Sequence, residues 1–133
     1  MVFKKVIQGT LWDFVGETKN LTKEGQVQLA NGKKPEKLIG KILDCCMKPG
    51  DIVLDAYLGS GTTAAVAHKK GLTYIGLEQL DKHIELAKTR LSNVISGDKS
   101  GISSDENWNG GGSYIYCELA ENSQTSVSYT HLR

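Results

Sequence analysis

The chain has 133 residues, enough for one small domain around one core. Basic and acidic side chains nearly cancel, at a formal charge of +1, which excludes the strongly basic face that grips nucleic acid by charge alone. No apolar run is long enough to cross a bilayer, the opening residues carry no signal-peptide pattern, and three cysteines without framework or zinc spacing exclude a disulfide scaffold and a metal site and fit reduced, cytoplasmic thiols.

The first fifteen residues mix apolar and polar side chains around VIQGTLWDFV and read as a strand and turn, with Trp12 and Phe14 packing or anchoring a loop. Residues 16–31 are polar and read as a loop with solvated lysines. Residues 32–47, GKKPEKLIGKILDCCM, carry Leu38, Ile39, Ile42, Leu43 and Cys46 at helical spacing, with Lys33, Lys37, Lys41 and Lys48 off that stripe. Pro35 suits the first helical position, and Lys48, Pro49 and Gly50 end the helix. Residues 51–55 form a short, nearly all-apolar strand, the pattern of one buried on both faces.

A glycine-rich turn follows, and then a helix over residues 62–70 built on Ala64, Ala65, Val66 and Ala67 and stopped by Gly71. Residues 73–77, TYIGL, make a second strand that ends at Glu78. Asp81 is placed to cap a third helix with Ile84, Ala87, Leu91 and Ile95 on one face; His68 and His83 fall on exposed helix faces. Residues 96–112 are a long polar loop, residues 113–119 a third strand, and residues 120–133 hold no clear element. Helices alternating with strands predict an α/β fold, helix-strand-helix-strand-helix-strand, on a parallel sheet.

The chemistry concentrates at DAYLGSGTT, residues 55–63. Gly59 and Gly61 permit a tight turn and close approach of a ligand to the main chain. The helix start beyond them offers free N–H groups and the positive end of a dipole. Asp55 and Glu78 both stand at carboxyl ends of strands. A carboxylate after the second strand suits ribose hydroxyls. One at the end of the first strand repels a pyrophosphate and attracts an ammonium or sulfonium group. That favours S-adenosylmethionine over NAD, although GSGTTA formally fits the dinucleotide pattern GxGxxA. The plainer alternative is that the glycines make only a tight bend and the two acids only cap turns. Trp108 and Tyr114 have the ring chemistry to stack on a base, but packing accounts for them.

DAYLGSGTT resembles the cofactor motif of amino-methylating DNA methyltransferases, usually Asp-x-Phe-x-Gly-Ser-Gly-Thr, with Tyr57 as the aromatic. GKKPEKLI (residues 32–39) resembles the Lys-Pro motif that precedes it in the β class, and YIGLEQ (residues 74–79) the second acidic strand end. TLWDF (residues 10–14) and residues 100–119 resemble modification (Mod) subunits of type III restriction–modification systems. The resemblance implies a partial Rossmann-like class I S-adenosylmethionine-dependent methyltransferase fold. Asp55 would hold the methionine amine; Gly59, Ser60, Gly61 and Thr62 would contact the methionine part; Glu78 would bind the ribose; Lys34 would close over the methionine carboxylate. The implied reaction is methyl transfer to the exocyclic amine of a flipped adenine in DNA. The implied partners are DNA, a restriction subunit and a second modification subunit, with no membrane.

One departure is large. The family's catalytic motif ends in Pro-Pro-aromatic, yet the two prolines here, Pro35 and Pro49, are not adjacent. In the β class that motif lies upstream of the Lys-Pro motif. The expectation is therefore a cofactor-binding part with no catalytic residues of its own. Residues 1–31 continue from an upstream half, residues 32–122 bind the cofactor, and residues 123–133 are a tail outside the pattern. An apolar strand deprived of a neighbour would also leave a sticky sheet edge. The alternative is a non-catalytic nucleotide-binding or docking module on the same fold, with an NAD(P)-binding domain as a lesser option.

Overall fold

A computed structural model describes residues 9–19, 21–29, 31–119 and 128–131. Residues 1–8 of the expected opening strand and turn lie outside the described residues, as does most of the expected tail, and residues 9–14 form no strand. In chain order the elements are α1 (Val15–Thr18), a 3-10 turn (Glu24–Gln26), α2 (Glu36–Cys46), β1 (Ile52–Asp55), α3 (Thr62–Lys69), β2 (Thr73–Gly76), α4 (Asp81–Ile95), β3 (Ile115–Glu118) and β4 (Ser128–His131).

The α/β expectation holds at its centre. β1 and β2 pair in parallel, with Asp55 opposite Gly76. Parallel neighbours need a long crossover, and α3 provides it. The core lies between α2, α3 and one face of this pair. Leu43, Val53, Val66, Ala67 and Ile102 form it, with Ile39, Met47, Leu72 and Tyr74 against its margin. α3 is built of small residues, so it packs closely on the sheet, and α2 and α4 flank it.

The expectation of a first strand buried on both faces is corrected. Val53 is buried, but Ile52 and Leu54 are 58% and 65% exposed, and Ile75 on β2 and Leu77 just past its end are 51% and 52% exposed. Strand side chains alternate between faces, so these four residues share one bare apolar face of the sheet. Replacing Ile52 and Ile75 together by Thr is expected to keep the chain monomeric at higher concentration without lowering its melting temperature. Unchanged self-association in sedimentation velocity would count against this.

The third strand also departs from expectation. β3 does not extend the parallel pair; it pairs antiparallel with β4, Ile115 opposite His131 and Glu118 opposite Ser128. Alternation in SYIYCEL marks a strand but carries no information about its partner. The loop before it is pinned elsewhere: Gly111 N–H donates to Ile95 O at 2.8 Å. His68, expected on an exposed face, is buried and holds the same loop. Its Nε2–H donates to Gly111 O at 2.9 Å, because a carbonyl can only accept, and Tyr74 OH then donates to Nδ1 at 3.0 Å. Burial pushes the Tyr74 hydroxyl up to about 12. Trp108 packs edge-on against His68 at 5.4 Å and donates to Val94 O, which is the packing role expected of it.

Smaller corrections concern helix ends and thiols. Pro35 is the N-cap of α2 rather than its first residue, and α4 has Leu80 as N-cap, with no side-chain cap from Asp81. Cys46 lies exposed at the end of α2, beyond the apolar stripe, and Cys45 and Cys117 are free and exposed as well.

Candidate functional site

The glycine turn is held by main-chain bonds before any side chain enters. Leu77 N–H donates to Asp55 O at 2.8 Å, Leu58 N–H to Leu77 O at 2.9 Å and Gly61 N–H to Leu58 O at 3.0 Å. The turn therefore stays registered to both strands. Asp55 Oδ1 accepts from Tyr57 N–H at 3.0 Å, and the side chain is half-buried. Among the described residues no cation pairs with Asp55. The Tyr57 ring is 91% exposed.

Glu78, two residues past the end of β2, reaches across to the turn. Its Oε2 accepts from Gly59 N–H at 2.7 Å, and its Oε1 accepts from Gln79 N–H at 2.8 Å and Leu80 N–H at 3.0 Å. Burial raises its pKa, but these three backbone donors outweigh it and, with His83 nearby, hold the carboxyl below the usual range. A carboxylate has about four acceptor positions, so one remains on Oε2 for a ligand hydroxyl. The two acids thus meet at one sheet edge with the glycine turn between them. Stability from Glu78 is present above the ordinary carboxylate pKa of about 4.3 and is lost as pH falls through the lowered folded value. A carbon-13 titration should place the Glu78 transition below the ordinary glutamate value of about 4.3; a midpoint at or above that value would remove the argument.

Ser60, Gly61 and Thr62 are buried under the turn. Gly61 has φ +77, and a Cβ there would stand 3.1 Å from Ala87 Cα on α4, so no larger residue fits without moving the helix. Thr62, the first residue of α3, does not present a free hydroxyl: its Oγ1 accepts from Arg90 Nη1 at 2.7 Å. Its own proton remains available to donate. Lys34 lies on the surface just before the buried Pro35.

Sequence reasoning missed the ionic network beneath this site. Arg90 and Glu36 are both fully buried. Arg90 Nη2 donates to Glu36 Oε1 at 2.8 Å and to Glu24 Oε1 at 3.0 Å. Lys69 donates to Glu36 Oε2 at 2.8 Å and to Asp98 Oδ2 at 3.0 Å. The stretch expected to be a solvated loop supplies Glu24, and its carbonyls take the Lys33 ammonium: Leu21 O and Glu24 O at 2.5 Å, Val27 O at 2.7 Å. Burial, with the Arg90 charge behind it, pulls Lys33 down to about 8, and burial raises Glu24. A sequence signal existed. Arg90 falls on the apolar face of α4 between the buried Ala87 and Val94, and Glu36 shares the buried face of α2 with Gly40 and Leu43.

Comparison with known proteins agrees with the resemblance in the sequence. The chain is 53% identical over 118 residues to a probable type III restriction-modification enzyme HindVI Mod subunit of Haemophilus influenzae, covering 88% of this chain and 16% of that protein. It is 45% identical over 62 residues to the type II methyltransferase M.HinfI of Haemophilus influenzae, covering 47% of this chain and 17% of that protein. The chain therefore spans less than a fifth of the length of either relative. Among solved structures, M1.HpyAVI is 37% identical with a TM-score of 0.43, over 44% of this chain and 30% of that one. The M1.HpyAVI complex with SAM is 32% identical with a TM-score of 0.47, over 49% and 32%. The family model for DNA methylase (N6_N4_Mtase) matches residues 3–89, more than half of the sequence and all of the strand-turn-helix just described, so the chain belongs to the DNA methylase family.

Proposed function

We propose that the chain is the S-adenosylmethionine-binding portion of a site-specific DNA methyltransferase that acts on the exocyclic amine of adenine within a restriction–modification system. The observation that carries this reading is the pair Asp55 and Glu78, which flank the glycine turn at the carboxyl edge of two parallel strands. Asp55 has no cation of its own among the described residues, and it suits the methionine amine or the sulfonium beside it. Glu78 keeps one acceptor position for a ribose hydroxyl. Gly59, Ser60, Gly61 and Thr62 would line the methionine part, with the Thr62 hydroxyl proton as a donor. The exposed Tyr57 ring would cover the pocket, and Lys34 would swing onto the methionine carboxylate.

The reacting step is assigned to another part of a longer enzyme, because this sequence has no adjacent prolines and so no Pro-Pro-aromatic motif. The bare face of Ile52, Leu54, Ile75 and Leu77 supports the same reading, since those side chains would be covered by that part. DNA contact, a restriction subunit and pairing of two modification subunits belong to the whole enzyme in this proposal, as does a cytoplasmic location.

The test is a calorimetric titration of S-adenosylmethionine into the chain, with NADH as the competing cofactor. Weak binding of the first and none of the second is expected, and Asp55→Ala should weaken binding by at least about tenfold. Methylation of DNA by the chain alone would refute the placement of catalysis elsewhere. A second reading, a non-catalytic docking module, draws on the three backbone donors that Glu78 already satisfies. It requires Glu78→Gln to leave S-adenosylmethionine affinity untouched.

A further inference from the structure

We infer that Arg90 is the positioning residue that locks the glycine-turn half of the cofactor pocket to its Lys-Pro half; this rests on the cofactor reading above. One planar guanidinium reaches three elements. Nη1 donates to Thr62 Oγ1 at 2.7 Å, at the start of α3 and directly after Gly61. Nη2 donates to Glu36 Oε1 at 2.8 Å, at the start of α2 and directly after Lys34 and Pro35, and to Glu24 Oε1 at 3.0 Å.

Glu24 Oε1 in turn accepts from Glu36 N–H at 3.0 Å, so the same cluster also fixes the first turn of α2. The arrangement has little slack. Gly61 presses on Ala87 one turn before Arg90, and a Cβ at Gly25 would stand 2.7 Å from Arg90 Nε. That Nε–H is buried and has no hydrogen-bond partner among the described residues, so the head group is held by its other nitrogens and by packing alone.

The consequence for the site lies in Thr62. By accepting from Arg90, its hydroxyl spends one lone pair, which restricts where its own proton can point. With the start of α3 fixed to the start of α2, the turn that takes the methionine part and the lysine that closes over it are held as one body. A lysine at position 90 would keep the charge but lose the fork, whose two separate nitrogens serve Thr62 from Nη1 and the two acids from Nη2.

Arg90→Lys is therefore expected to weaken S-adenosylmethionine binding about tenfold per folded molecule. Thr62→Val should weaken it as well, the losses in the double variant should fall short of multiplying because the two residues share one hydrogen bond, and Thr62→Ser should keep the affinity of the unsubstituted chain. A purely structural Arg90 would lower the melting temperature and leave the affinity of the folded fraction unchanged, and that result overturns the inference. So does a double variant whose losses multiply.

If Arg90→Lys fails to fold, the unsubstituted chain still decides. Coupling is reciprocal, so S-adenosylmethionine must slow hydrogen exchange of the Arg90 guanidinium protons; exchange indifferent to saturating cofactor overturns the inference. Absence of binding by the unsubstituted chain removes the cofactor reading itself and this inference with it, whereas binding indifferent to Arg90 removes only the inference.

Discussion

Glu36→Ala is expected to cost about 3–5 kcal/mol, the usual loss when one member of a buried ion pair is removed. Against a typical domain stability of roughly 5–15 kcal/mol, that removes between about a fifth and all of the margin. Glu36 is fully buried and joins two cations: Oε1 accepts from Arg90 at 2.8 Å and Oε2 from Lys69 at 2.8 Å. Oε2 also accepts from Ile102 N–H at 3.2 Å, which ties the loop after α4 into the core. Alanine removes both acceptor oxygens and all three hydrogen bonds at once. Arg90 keeps Glu24 and Thr62, and Lys69 keeps Asp98, but the buried cations Lys33, Lys69 and Arg90 are then faced by two buried acids instead of three. Urea unfolding read at α2 and α4 should show the loss, and a change under about 1 kcal/mol would mean that water reaches the network. Glu36→Gln keeps an acceptor oxygen but turns an NH2 group toward a cation, so its loss should be smaller and still clear.

Gly101→Ala should be the second most damaging single change, for two reasons that can be separated. Gly101 has φ +60, where an alanine costs about 1–2 kcal/mol. The added Cβ would also stand 2.5 Å from the Glu36 Cδ and nearer still to Oε2, so the carboxylate must leave Arg90 and Lys69. The two substitutions should therefore not add. In a Glu36→Ala background the carboxylate is absent, and Gly101→Ala should cost little beyond the backbone strain and the 3.0 Å approach to the Cβ that remains at position 36. A double-mutant cycle measures this coupling directly. Additive losses would show that the loop yields instead of the carboxylate and that Gly101 is required only for its dihedral angle.

Much of the site was legible from local pattern. The run DAYLGSGTT announces a strand, a glycine turn and a helix, and the structure builds Ile52–Asp55, the turn and Thr62–Lys69 in that order. Asp55 and Glu78 could be assigned to one edge because parallel strands joined by a helix place their carboxyl ends side by side, as the Asp55–Gly76 register shows. The third strand was legible as a strand but not as a partner, since alternation is a property of one segment and pairing a property of two. The exposed face of Ile52, Leu54, Ile75 and Leu77 was not legible either: an apolar run records what can be buried, not what covers it.

Sequence by itself determined the elements that depend on near neighbours: the helical spacing of α2 and α4, the α/β alternation, the glycine turn and the two acids beside it. Tertiary structure alone decided which polar side chains are interior. Glu24 meets Arg90 across 66 positions and Glu36 meets it across 54. Burying a charge costs several kcal/mol unless a partner arrives. Near neighbours therefore predict a solvated side chain at Glu24, Lys33 and Glu36, and only a distant residue brought in by the fold reverses the sign. The helix that carries the glycine turn is fixed by this reversal, since Thr62 shares its guanidinium with those two acids.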